Sequence, residues 1–261
     1  MQSDLAYPQV LVGGFNTISC TRAELAELLL EDCIEARKQG ESWLPKLVFS
    51  SNGQGVTLAG KSPEFMRMMS EADIVHADGM PVVFASKLTE APLPERIPTT
   101  DFFHDAAQVA EPNGLRFFML GAKDEQNAAA VAAIEKIYPG LNVVGRHHGY
   151  FTEAEDEAVC EMIRESKADV VWIALGKPRQ EEWCFRNRDR LRGVGWLKTC
   201  GGLYAFLAGD VPRAPEWMQK AALEWLFRMM DDPKRLAWRY LSTNPYAFYR
   251  LVRETRRRRD R

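Results

Sequence analysis

Apolar residues along this chain follow two alternating rhythms. Short continuous runs at 47–49, 74–76, 117–120, 142–145, 170–175 and 195–199 have the length and composition of buried strands. Between them, residues 21–39, 63–70, 123–138, 152–166 and 179–192 carry apolar side chains at helical spacing. Two of these stretches open on a capping box, Thr21 with Glu24 and Thr152 with Glu155. In such a box a hydroxyl and a carboxylate satisfy the first free amides of the helix. Alternating strand and helix predicts an α/β sheet with helices on both faces. Ligands of such sheets bind beyond the carboxyl ends of the strands, where the unusual polar residues of this sequence fall.

The rhythm changes after Gly209. Pro212, Pro215, Pro233 and Pro245 punctuate a helical region rich in Trp and Arg. The expected division is a body, 1–210, and a helical C-terminal appendage, 211–261, with no internal repeat. Charge sharpens this division. The chain has 261 residues and a net charge of -2, yet ten Lys or Arg fall between Lys234 and Arg261 against only Glu254 and Asp260. An acidic body with a basic end points to an anionic partner. Leu236, Trp238, Tyr240, Tyr246, Phe248, Tyr249 and Leu251 interleave with Arg235, Arg239, Arg250 and Arg253. Aromatics among arginines fit a helix lying at a lipid interface, where each basic residue adds about 1 kcal/mol against an anionic leaflet. Two alternatives stay open: an apolar face packed on the body, which suits residues 217–230, and a solvated or RNA-binding end at 256–259. The N-terminus has neither a basic region nor an apolar core, and no apolar run approaches ~18 residues. Membrane contact is therefore expected to be peripheral. The five scattered cysteines lack any C-x-x-C spacing and read as reduced thiols of a cytoplasmic protein.

Four polar segments stand at strand ends. Ile74-Val75-His76-Ala77-Asp78-Gly79 places a carboxylate and a glycine after a strand. Such an Asp is either a general base for a hydroxyl or a cap for the next helix. Ser50-Ser51-Asn52-Gly53 suits a sugar or phosphate, and equally a plain turn. Ala174-Leu175-Gly176-Lys177-Pro178-Arg179-Gln180-Glu181-Glu182-Trp183 runs from a strand into a helix, with cations beside free backbone amides. That suits a diphosphate, the alternative being a turn with solvated charges. Cys200-Gly201-Gly202-Leu203 permits close approach to a ligand, or simply turns. There is no Walker A motif, no D-x-D, and no G-x-G-x-x-G after the first strand, for which Gly13-Gly14 is too short. His147 and His148 are adjacent, so on a strand their rings would point to opposite faces and chelate poorly. Neither metal nor cofactor is expected. Leaving-group charge then falls to cations and backbone amides.

Together these segments resemble the WecG/TagA/CpsF family of glycosyltransferases over most of the chain. The matching pieces are Ser50-Ser51-Asn52, Ala77-Asp78-Gly79, Arg96 with Asp101, Ala174 to Glu181 as written above, Arg213-Ala214-Pro215-Glu216-Trp217, and Glu224-Trp225-Leu226-Phe227-Arg228 with Pro233 and Arg235. The resemblance implies a Rossmann-like domain and an inverting, metal-independent hexosyltransferase. Its donor would be a nucleotide diphosphate sugar, expected to be a UDP-sugar, and its acceptor a saccharide on undecaprenyl diphosphate. It would serve exopolysaccharide, capsule or teichoic acid synthesis at the inner face of the cell membrane. By the same resemblance Asp78 is the base, Ser50, Arg96 and Gln180 share the catalytic site, and Asn52, Gly79, Gly176, Lys177, Pro178, Arg179, Glu181, Gly201, Gly202 and Tyr204 hold the nucleotide sugar. Arg213, Arg228, Arg235 and Arg239 of the appendage are expected at the acceptor diphosphate or the membrane. No nucleic-acid partner is expected, and self-association through an exposed apolar face is left open. The chain departs from the family pattern at Thr199, where the family has Gly, at Ala205, where it has Asp, and at Thr99, where a second Gly is lost. Against the transferase stand an NAD-dependent enzyme acting on nucleotide sugars, disfavoured by the missing glycine fingerprint, and a non-catalytic nucleotide-sugar-binding membrane adaptor of the same fold.

Overall fold

All six apolar runs become strands of one sheet. The computed structural model describes residues 7–215, 217–218, 223–231 and 233–256, with the side chains of 224–225, 228, 231, 233–242 and 256 outside that description. A hairpin comes first, β1 (Gln9–Val12) and β2 (Phe15–Ile18), antiparallel. It was not expected from the sequence. Gly13 and Gly14 form its two-residue turn with φ of 61° and 94°, a backbone that glycine adopts without steric cost. The main sheet is parallel throughout: β3 (Lys46–Ser51), β4 (Ile74–Ala77), β5 (Arg116–Gly121), β6 (Asn142–His147), β7 (Val170–Ala174) and β8 (Trp196–Thr199), in the order β4-β3-β8-β7-β5-β6. β7 and β8 are buried at every position; β7 accordingly reads as an unbroken apolar run, whereas β8 buries Lys198 and Thr199 as well.

Helices cover both faces. On one lie α2 (Gly53–Lys61), α3 (Pro63–Glu71), α4 (Met80–Ser86), α7 (Asp156–Glu165) and α8 (Arg179–Asn187), packed around Phe49, Phe65, Val82, Ile163 and Trp183. On the other lie α1 (Arg22–Gln39), α5 (Thr99–Ala110), α6 (Asp124–Ile137) and α9 (Leu203–Leu207), around Leu29, Phe102, Phe103, Trp172 and Trp196. Both capping boxes form, at Thr21 and at Thr152. The second opens a 3₁₀ turn, Glu153–Glu155, before α7. The stretch expected as one helix over 179–192 ends at Asn187 and continues as a 3₁₀ turn, Asp189–Leu191.

Four helices at the carboxyl edge escaped the sequence pattern: α2, α4, α5 and α9. Gly53, Gly55 and Gly60 give α2 a poor intrinsic helix propensity. Packing explains one of them, because a Cβ on Gly60 would lie 2.5 Å from the Tyr246 hydroxyl. That hydroxyl belongs to the second of two helices that follow the body, α10 (Glu224–Asp231) and α11 (Pro233–Arg256). The end of α11 returns to the body. Thr57 Oγ1 donates to Thr243 O at 3.2 Å, Tyr246 Oη to Gly60 O at 3.2 Å, and Gly13 N to Thr255 Oγ1 at 3.0 Å. Leu251 is buried in the core around Phe49. Leu251→Ala should cost about 2–4 kcal/mol in a urea unfolding titration, since the site is closed in by Gly13 and Val56. A loss below about 1 kcal/mol would show that α11 does not bear on the core.

The chain leaves β3 for α2 on one face and leaves the adjacent β8 for α9 on the other. In sheets of this kind such a divergence marks the ligand-binding crevice at the carboxyl edge.

Candidate active site

Asp78 is the first residue beyond β4, and its backbone N donates to Ser51 O at 2.9 Å. Its Oδ1 accepts from the backbone N of Thr99 at 3.0 Å, the first amide of α5. Its Oδ2 accepts from Asn52 Nδ2 at 3.3 Å. Asn52 is itself the N-cap of α2, accepting from Gly55 N at 3.1 Å. One carboxylate therefore sits between the starts of two helices on opposite faces of the sheet. The two sequence readings of Asp78 merge: it does cap a helix, but that helix is α5 rather than the next one, α4. Gly79 follows, its N donating to Ser51 O at 3.3 Å.

The loops after β7 and β8 close the other side. Lys177 Nζ donates to Glu181 Oε1 at 2.7 Å and to Ser50 O at 3.1 Å, and lies 5.8 Å from the Phe65 ring centroid. Gln180 is buried. Its Oε1 accepts from Gly201 N at 3.2 Å and its Nε2 donates to Glu181 Oε1 at 2.9 Å. These bonds tie the ends of β3, β7 and β8 together. Gly176 and Gly201 turn with φ of 77° and 53°, where an L side chain is strained. Pro178 precedes α8, and Gly202 precedes α9. Ser50 and Asn52 thus lie at the end of β3 and the start of α2, not in an irregular turn.

Arg96 is half-buried beside this centre: its neighbour Ile97 donates its N to Ala77 O at 2.7 Å. Arg213 Nη1 pairs with Asp101 Oδ1 at 2.5 Å, which brings the segment after α9 to the first turn of α5. The side chains of Arg228, Arg235 and Arg239 lie outside the described residues.

Two expected donor-binding residues are placed elsewhere. Arg179 bonds Phe151 O and stacks 5.3 Å from the Phe151 ring centroid, so it is turned to the loop after β6. Tyr204 is buried among α5, β5 and β7 side chains, with its hydroxyl donating to Trp172 O at 2.6 Å. The histidine pair also departs from expectation. β6 ends at His147, strand alternation stops there, and the two rings lie 4.5 Å apart. Among the described residues no three His, Cys, Asp or Glu side chains are grouped to hold a metal ion. No helix among them is long and apolar enough to cross a membrane.

A match to the model described as "Glycosyl transferase WecG/TagA/CpsF family" covers residues 12–261. The chain belongs to this family. It is a glycosyltransferase, of the hexosyltransferase kind. Proteins from Staphylococcus aureus strains NCTC 8325 / PS 47, COL and MRSA252 are each 30% identical over 210 residues, covering 80% of this chain and 81% of theirs. Each is named an N-acetylglucosaminyldiphosphoundecaprenol N-acetyl-beta-D-mannosaminyltransferase.

In this member of the family the centre contains two residues that the sequence reading passed over. His76 is fully buried, with Nδ1 3.0 Å from Ile97 O, an acceptor only, so Nδ1 carries the proton. Burial, and then the Lys198 charge, hold the imidazole well below its usual range, and therefore neutral. Lys198 is fully buried on β8, with Nζ donating to Thr199 O at 2.7 Å. A lysine inside an apolar run was the available signal. Burial pushes its ammonium down to about 8 from the usual 10.5, while Cys200, Asp78 and Glu181 pull it up and Lys177 opposes them. Burying this cation opposes folding below about pH 8, and the opposition fades as the unfolded chain also loses the proton near 10.5. Lys198→Met should thus be more stable than wild type at pH 7 by up to about 3 kcal/mol, at ~1.4 kcal/mol per unit. Urea titrations at pH 7 and pH 10 should show that gap closing. A gap independent of pH would refute the assignment.

Proposed function

We propose that the chain is an inverting transferase that moves a sugar from a UDP-sugar to a saccharide carried on undecaprenyl diphosphate, without a metal. The observation that supports this best is the Asp78 carboxylate, held by Thr99 and Asn52 at the carboxyl end of β4, beside that of β3. A fixed carboxylate at that edge can take the proton of an acceptor hydroxyl as the oxygen attacks the anomeric carbon. The electron pair of the breaking anomeric bond leaves on the diphosphate. Arg96 and the backbone amide at the Gly176 turn are the groups suited to receive it, the Gly201 amide being engaged by Gln180. Lys177 serves differently from a free phosphate-binding cation: engaged by Glu181 and Ser50, it sets the loop that carries Gln180.

The relatives' names support the acceptor chemistry, a sugar diphosphate on undecaprenol, and suggest a 2-acetamido sugar donor. Thr199 and Ala205 leave a hexose or uronic acid donor equally open. For location, the reading is peripheral association with the inner face of the membrane. Support comes from exposed Phe248 and Tyr249 on α11, with Arg253 5.7 Å from the Tyr249 ring, and from exposed Phe84 with Lys87 5.4 Å from its ring. Aromatic rings flanked by cations fit the headgroup boundary of an anionic leaflet.

The test is UDP release from a panel of UDP-sugars in the presence of polyprenyl-diphosphate-linked acceptors. Asp78→Ala and Asp78→Asn should each lower turnover about 10²–10⁴-fold. Asn is the necessary companion, because it keeps an acceptor for the Thr99 amide and so preserves the start of α5; circular dichroism should report an unchanged fold. Near-normal turnover in a folded Asp78→Asn variant would overturn the mechanism. A chain that binds one donor yet consumes none would be an adaptor.

A further inference from the structure

Buried charge behind the crevice does not end with the groups that line it. Val48 pairs with both Ile74 and Lys198, and two residues on, Ser50 pairs with His76. Lys198, Ser50 and His76 therefore project from the same face of the sheet, the face covered by α5. Phe102 of α5 lies over this row, its ring 6.1 Å from those of His76 and Trp172 and 6.3 Å from that of Trp196. Lys198 thus belongs to the row covered by Phe102, a residue in the first turn of the helix whose leading amide holds Asp78. Its ammonium donates only to Thr199 O among the described residues.

The charges around Lys198 can be assigned one by one. β4 contributes His76, which is neutral, and Asp78. α8 contributes Glu181 and Cys184, and the loop before it Lys177. Cys200 and Tyr204 follow β8 itself; burial pushes the Cys200 thiol up to about 12 and the Cys184 thiol and Tyr204 hydroxyl well above their usual values. β3 and β7 present Val48 and Trp172, and α5 presents Phe102. Lys177 is bonded directly to Glu181. Of these groups, Lys198 and Asp78 are the cation and the anion with no direct bond to an opposite charge among the described residues, where Asp78 accepts from the neutral donors Thr99 N and Asn52 Nδ2.

We propose that Lys198 is a positioning residue of the transfer reaction, a buried counter-charge that balances ionised Asp78 and then the diphosphate that leaves. The assignment rests on Asp78 as the base. During transfer the acceptor's proton passes to the Asp78 carboxylate, a C–O bond forms at the anomeric carbon, and the electron pair of the old bond departs on the nucleoside diphosphate. Asp78 becomes neutral as the diphosphate gains a negative charge in the same crevice. Lys198 gives and takes no proton, and its charge offsets the anion at both ends of the step. A buried cation is expensive for the fold, and this gives it a use.

The test is the pH profile of turnover, from about pH 7 to 9.5, for wild type, Lys198→Met and Lys198→Arg, with Asp78→Asn as the reference. Across that range the imidazole, thiols and phenol around Lys198 do not change charge. Wild-type kcat should fall above about pH 8 with loss of one proton. Lys198→Met should be roughly tenfold to a hundredfold slower in kcat at pH 7, with little change in KM for the donor, and should lose the alkaline limb. Lys198→Arg, charged throughout, should recover rate and also lose the limb; if Arg does not fold there, the Met profile decides. A limb that persists in Lys198→Met, or a Met variant as fast as wild type, overturns the inference while an inactive Asp78→Asn leaves the transferase mechanism standing. An active, folded Asp78→Asn overturns both.

Discussion

The site depends on one carboxylate held from two directions. Asp78 accepts from the first amide of α5 on one face of the sheet and from the N-cap side chain of α2 on the other. The carboxylate caps α5 directly and holds α2 through the side chain that caps it. Helix starts carry unsatisfied amides and partial positive charge, so an anion between two of them answers a structural demand as well as a chemical one. The anion sits at the carboxyl end of β4, next to the end of β3; the segments that follow β3 and β8 leave to opposite faces.

The remaining loops are fixed by bonds between charged and polar side chains and the backbone. Lys177, Glu181, Gln180 and Ser50 join the ends of three strands with few rotatable elements left over. Such a network is rigid, and rigidity is what a preorganised site needs. It also reassigns the cations. The lysine beside the glycine turn holds the scaffold, and a second lysine, invisible from the surface, carries the balancing charge. A buried ammonium pushed down to about 8 is tolerated only because opposite charge lies near it.

Five of the six strands are legible in the sequence because continuous apolar runs report strands covered on both faces; β6, at the edge, is only partly buried and is read from its short Val143-Val144 run. The capped helices are legible because their caps are local. α2 is not, since three glycines contradict its helical state and the reason for one of them, the approach of Tyr246, lies 186 residues away. α5 carries Thr99 and Thr100 at its start, and its cap is a carboxylate 21 residues earlier, which no local rule finds. The motif segments are brought together as their positions at strand ends require. What spacing could not supply was direction: Arg179 turns to Phe151, Tyr204 turns inward to Trp172, and both belong to segments that otherwise face the crevice. Lys198 was open to discovery, as a charge within an apolar run, but only burial and register give it a neighbour.

If a single fixed base drives one direct displacement, the stereochemistry of the product must record it. The decisive measurement is the anomeric configuration of the transferred sugar, read by NMR coupling constants from product made with an α-linked UDP-sugar of known identity. A β linkage, formed with one turnover per UDP released, is the predicted result. Retention of the α configuration would require a second displacement or a front-face departure, and would contradict the role given to Asp78.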